Sequence, residues 1–100
     1  MLVIYSKEQC KYCHMAKDFM KENSIPYKEV SLDPEADDYA TRRESLVQRT
    51  QQTTFPWIFV ADGENEELIG GYTEFMHAYN TGRLHTMLKK VGIEISEADF

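Results

Sequence analysis

The segment Cys10-Lys11-Tyr12-Cys13 lies where an apolar run hands over to a helical pattern, and that junction constrains the fold more than any other feature. Leu2, Val3, Ile4 and Tyr5 form a short, largely β-branched run that reads as a buried strand, bounded by the polar loop Ser6-Lys7-Glu8-Gln9. From Lys11 to Asn23 the period changes. Ala16, Phe19 and Met20 recur at three- and four-residue spacing, with Lys17, Asp18, Lys21 and Glu22 on the opposite side, which predicts an amphipathic helix. The two cysteines therefore occupy the first turn of a helix that leaves directly from a strand.

The remaining elements follow from the same signals. Ser24-Ile25-Pro26 ends the first helix. Tyr27 to Leu32 alternates polar and apolar with Val30 and Leu32 inward, and Asp33-Pro34 predicts the start of a second helix running to about Arg49. Its apolar positions are Tyr39, Leu46 and Val47, and its many charges read as a solvated face. Trp57-Ile58-Phe59-Val60, the turn-like Asp62-Gly63 and Leu68-Ile69 predict an antiparallel hairpin with a connection longer than two residues. Gly70-Gly71 breaks it. Tyr72 to Thr81 reads as a helix, Gly82 as its C-terminal cap, and Leu84 to Val91 as a further helix whose Met and aromatic neighbours fill a core. The acidic tail over 93–100 reads as loose. This order predicts an α/β domain, a small mixed sheet flanked by helices, its first two strands parallel because crossovers are right-handed.

Composition narrows the function classes. One hundred residues suit a single domain, 1–100, and the 42% hydrophobic fraction supports a modest core. Eleven Lys and Arg against seventeen Asp and Glu give a net charge of −6, which repels a phosphate backbone, so nucleic acid is not an expected partner. Met1 to Tyr5 is too short for a signal-peptide core and no stretch reaches membrane-spanning length, so no membrane partner is expected either. Two cysteines are too few for a secreted disulfide framework, and the expected compartment is the reducing cytoplasm.

Residues three apart in a helical turn face the same side with Cα atoms roughly 5–6 Å apart, within the range a disulfide spans. Cys10 would stand at the helix N-terminus, where unpaired N–H groups and the helix dipole favour an anion, with Lys7 and Lys11 adding positive charge. It is the expected nucleophile. Cys13, one turn in, suits a resolving thiol that attacks the mixed disulfide formed on Cys10. The residues alone also admit an inert structural pair. A zinc site needs four ligands, whereas His77 and His85 lie eight apart and His14 points away from the pair; His14 reads as an exposed residue that tunes local charge.

Four separated motifs resemble the glutaredoxins of the thioredoxin superfamily: Lys7 ahead of the cysteines; Cys10-x-Tyr12-Cys13 followed by Ala16-Lys17-Asp18; Thr54-Phe55-Pro56-x-Ile58-Phe59-Val60; and Ile69-Gly70-Gly71-Tyr72-Thr73-Glu74-Phe75. No Trp-Cys-Gly-Pro-Cys run of a thioredoxin proper occurs. The resemblance implies a thioredoxin-like fold with a four-stranded mixed sheet and a glutathione-dependent dithiol oxidoreductase. It implies a cis peptide before Pro56 and a glutathione site of Lys7, Tyr12, Thr54, Phe55, Pro56, Gly71, Thr73 and Glu74. Lys7, with Gln48, would meet the glycine carboxylate, and the helix beginning near Thr73 would meet the γ-glutamyl end. Glutathione is the implied cosubstrate, with no metal required, and the expected state is a monomer. Implied substrates are glutathionylated proteins and disulfide enzymes such as ribonucleotide reductase. The alternative is a dimer carrying an iron–sulfur cluster through Cys10 and glutathione. Three positions depart from the family pattern: Lys11 where proline is common, Glu74 where aspartate is common, and Phe55 where valine is usual.

Overall fold

In a computed structural model, described here over residues 1–95, the chain forms β1 (Leu2–Ser6), α1 (Lys11–Glu22), β2 (Tyr27–Ser31), α2 (Tyr39–Thr50), β3 (Trp57–Asp62), β4 (Asn65–Gly70), α3 (Tyr72–Asn80) and α4 (Arg83–Lys90). The sheet order is β2-β1-β3-β4. β1 and β2 are parallel, in register from Leu2 opposite Tyr27 to Ser6 opposite Ser31, while β1–β3 and β3–β4 are antiparallel. This is the four-stranded mixed sheet flanked by helices that the motif order implies. No helix among the described residues is long and apolar enough to cross a membrane.

Alternation along the strands divides the core between the two faces of the sheet. Leu2, Ile4, Ile58, Val60 and Ile69 pack under Ala16 and Met20 of α1, Phe75, Ala78 and Tyr79 of α3, and Leu84 and Leu88 of α4. Trp57 and Phe59 point to the other face, where Leu32 and Leu46 bury them and Tyr5, Val30, Tyr39 and Val47 flank. Residue Gly82 adopts φ 80°, the left-handed turn that separates α3 from α4.

Two expectations are corrected. The second helix starts at Tyr39, not at Asp33-Pro34. Asp33 Oδ1 accepts from the Glu35 N–H at 2.9 Å, and Ala36 and Tyr39 close successive turns onto the Asp33 and Ala36 carbonyls. Local side-chain satisfaction of the backbone competes with the helix, so Asp-Pro opens turns instead. The hairpin connection is also tighter than expected. Asp62 pairs with Asn65, which leaves Gly63 and Glu64 as a two-residue turn with Gly63 at φ 62°. Edge strand β4 has a solvated side, so its polar residues belong to the ladder rather than to a loop. At the C-terminus, Ile93 and Ile95 lie against the main core and the Ile93 N–H donates to the Leu88 carbonyl at 2.9 Å. The expected loose tail over 93–100 falls largely on residues outside those described.

Below the loop that carries the cysteines, the fully buried Ser6 hydroxyl donates to Glu29 Oε2 at 2.6 Å, and Lys17 Nζ meets the same oxygen at 2.8 Å. These contacts tie the second turn of α1 to the β1–β2 pair. Lys17, then Ser6, holds the Glu29 carboxyl below its ordinary value of 4.5. A depressed carboxylate contributes stability that is present above its unfolded pKa and lost as pH falls through the folded one. Glu29→Gln is therefore expected to lower the urea midpoint at neutral pH, by less than about 1 kcal/mol for so open a pair, and the deficit should shrink as pH drops below about 4.5. A deficit independent of pH would remove the carboxylate as its cause.

Candidate active site

Cys10 is the N-cap of α1, with extended φ −142° and ψ 104°, and its Sγ accepts from the Cys13 N–H at 3.2 Å. The sulfur thus occupies the place where a helix end usually seats a Ser or Asp oxygen, and a donor there favours the thiolate. Cys10 and Cys13 are joined as a disulfide with Cα atoms 5.3 Å apart, inside the range the spacing implied. Cys10 is half-buried, whereas Cys13 is 0% exposed beneath the first turn. An incoming sulfur can reach only the first of the two. The His14 Nε2 donates to the Glu8 carbonyl at 2.7 Å, so this residue closes the loop onto the helix.

A shallow groove of about 390 Å³ is lined by Tyr12, Thr54, Phe55, Pro56, Gly71, Tyr72, Thr73 and Glu74. It gathers every residue of the expected glutathione site except Lys7. Four elements meet here: the head of α1, the loop after α2, the start of β3 and the N-terminus of α3. The Phe55–Pro56 peptide is cis, as the resemblance implied, and Pro56 is buried. Lys7 approaches from the β1–α1 loop, its Nζ 5.1 Å from the centre of the Phe55 ring. Phe55 is in turn held between Tyr39, stacked at 6.5 Å, and Trp57, edge-on at 4.7 Å. The bulkier residue at this position thus builds the wall over which Lys7 lies.

Glu74 lines the groove, and one of its carboxylate oxygens also caps the helix: Oε1 accepts from the Gly71 N–H at 2.8 Å, reaching back as the third residue of a capping box does. The helix-end donors of Tyr72 and Thr73 remain outside the intrahelical ladder, which begins with Phe75 N–H to Gly71 O. Gln48 is exposed on α2 and bonds to Glu44 at 2.8 Å, away from the groove. Arg43 of α2 does reach the loop, its Nη2 donating to the Thr53 carbonyl at 2.6 Å.

Sequence patterns missed three residues here. Arg43 lies on a charge-rich helix where any of several cations fits the pattern. Tyr72 lines the groove with its ring 5.8 Å from that of Tyr12, which is 53% exposed. Gln52, in a run of polar residues, bonds to the carbonyls of Thr54 and Pro56. Tyr72 could have been found from its place between Gly71 and Thr73, whereas only the fold brings Arg43 and Gln52 to the site.

Comparison with known proteins gives the same answer from outside the chain. The Glutaredoxin family model matches residues 2–65. "Glutaredoxin 3" of Escherichia coli K12 is 33% identical over 86 residues, covering 86% of this chain and 94% of that protein. The human "Glutaredoxin-2, mitochondrial" is 36% identical over 84 residues, 83% of this chain and 48% of the human protein. Among solved structures, the buckwheat glutaredoxin–glutathione complex superposes with a TM-score of 0.79 at 30% identity, covering 93% of this chain and 80% of the buckwheat one. A Cys10–Cys13 disulfide at the head of α1, in a fold and sequence shared with these relatives, is the equipment of a thiol–disulfide oxidoreductase, and the chain belongs to the glutaredoxin family.

Proposed function

We propose that this protein reduces glutathione mixed disulfides and protein disulfides at the expense of glutathione, acting as a monomer in a reducing compartment such as the cytoplasm. The observation that carries the reading is the groove that Tyr12 of the Cys10–Cys13 turn lines, bounded by the Thr54–Pro56 segment on one side and the N-terminus of α3 on the other. A ligand with two carboxylates suits it: helix-end N–H groups at Tyr72 and Thr73 serve one, and the Lys7 ammonium serves the other. The buckwheat relative was solved as a glutathione complex, which supports the same ligand here. Ribonucleotide reductase, with its redox disulfide, is one target of the class that this chemistry serves.

The reaction follows from the unequal exposure of the two sulfurs. With a glutathionylated substrate, the Cys10 thiolate attacks the glutathione sulfur, the substrate leaves as a thiolate and takes a proton, and Cys10 retains the glutathione. A second glutathione thiolate attacks that same sulfur, releasing oxidised glutathione and restoring Cys10. With a protein disulfide, the Cys10 thiolate attacks one substrate sulfur, the substrate S–S bond breaks, and the other sulfur leaves as a thiolate and takes a proton. Cys13 then attacks Cys10 Sγ, freeing the reduced substrate and closing the Cys10–Cys13 bond. Two glutathiones reopen that bond and are oxidised together. The deciding experiment is glutathione-coupled reduction of the mixed disulfide of glutathione and 2-mercaptoethanol: saturable turnover is expected, and its absence from correctly folded protein would overturn the reading.

Lys7 supplies a graded test. Exposed ion pairs contribute only about 0–1 kcal/mol, so Lys7→Ala should raise KM at most about fivefold, while Lys7→Glu adds repulsion and should raise it further. Both effects should fade between low ionic strength and 1 M salt, where the screening length falls to about 3 Å. Unchanged kinetics of Lys7→Glu at low salt would remove Lys7 from the site.

A further inference from the structure

We infer that Gln52 is a positioning residue for substrate capture, the strut that holds the Thr54–Pro56 segment in shape beside the N-terminus of α3. Its side-chain Nε2 donates to the Thr54 carbonyl and to the Pro56 carbonyl, both at 2.8 Å, so one amide spans the segment that lines the groove. The same nitrogen lies 3.8 Å from where a Cβ on Gly71 would stand, and the Pro56 oxygen lies 3.6 Å from it. The strut therefore sits at the junction of both groove walls.

Gln52 is itself anchored. Its backbone N–H donates to Thr50 Oγ1 at 3.1 Å. That hydroxyl also accepts from Trp57 Nε1 at 3.0 Å and donates to the Leu46 carbonyl at 2.7 Å. Residues 51–56 have no helical or strand ladder of their own, so these side-chain bonds hold their shape. They run from the C-terminus of α2, through Thr50, to Gln52 and on to the groove. The half-buried Pro56 carbonyl needs a donor, and the side chain that provides it also holds the exposed Thr54 carbonyl. Neither Gln52 nor Thr50 lines the groove, so each acts on the ligand only through the backbone it braces.

The inference rests on the glutathione reading, and the experiment separates the two. Gln52→Leu, Gln52→Met and Gln52→Arg are compared with wild type in steady-state reduction of the mixed disulfide of glutathione and 2-mercaptoethanol, in Cys10 alkylation by iodoacetamide, and in urea unfolding. Losing two hydrogen bonds to the groove segment should raise KM about tenfold in Gln52→Leu and Gln52→Met. Their kcat should stay within about twofold and their alkylation rates should match wild type, because Cys10 is set by α1. Gln52→Arg keeps donors on a long side chain and should recover most of the KM. Unchanged KM in the apolar variants would overturn the inference alone. So would parallel loss of KM, alkylation and unfolding midpoint, failure of both apolar variants to fold, or no recovery with Arg, since each marks a merely structural role. Wild-type protein that does not turn over this substrate would overturn the glutathione reading and the inference with it.

Discussion

Cys10→Ser is expected to lose turnover with every disulfide substrate, by more than about three orders of magnitude, since no other group can replace the nucleophile. Cys13→Ser should behave differently. Reduction of a glutathione mixed disulfide needs one protein sulfur, so that activity should stay within about tenfold of wild type, while reduction of protein disulfides, which needs the resolving attack, should be lost. The structural basis is the asymmetry of the pair: Cys10 caps α1 and is half-buried, and Cys13 is enclosed. In reduced protein, alkylation should modify Cys10 first, with an inflection well below the unperturbed thiol value of about 8.5. Substantial activity in Cys10→Ser would reverse the assigned roles, and an inflection near the unperturbed value would remove the helix terminus as the activating influence.

Gly70→Ala is expected to cost about 2–4 kcal/mol of stability, because left-handed backbone strain and overpacking act together there. Gly70 sits at φ 134°, and a Cβ would lie 2.6 Å from Glu74 Cβ and 2.8 Å from its Cγ. Those atoms begin the side chain and cannot swing clear without shifting α3. The neighbour makes a control. Gly71 has an ordinary φ of −90°, and its Cβ would meet the mobile tip of Glu74 at 3.3 Å, with the Pro56 oxygen at 3.6 Å. Gly71→Ala should therefore leave the urea midpoint within about 1 kcal/mol yet raise KM, as the methyl group enters the groove and disturbs the Glu74 bond. Comparable stability for Gly70→Ala and wild type would show that α3 yields at its N-terminus.

Much of this molecule was legible along the chain. The β1–α1 junction, the cysteine pair, the inward Val30 and Leu32, and the Gly82 turn all follow from local periodicity and from glycine's freedom at positive φ, which neighbouring residues suffice to decide. The lining of the groove was legible only through the resemblance. An X-Pro bond is cis in only about 5–6% of cases, so residues near Pro56 would not by themselves have pointed to that geometry. Asp33-Pro34 misled because a helix start and an Asx turn use the same residue types, and the choice between them depends on what packs beyond.

The order of elements, the pairing of cysteines within one helical turn and the division of each strand into two faces were determined by the sequence itself, since each depends on spacing within a few residues. The tertiary structure alone decided that Gln52 braces two carbonyls of the groove, that Arg43 rather than Gln48 reaches the loop, and that Glu74 turns back onto Gly71. Polar side chains on loops and helix ends have many partners of similar energy in the unfolded chain. Which one they keep is settled only when sheet and helices fix the distances between backbone groups that lie far apart in sequence.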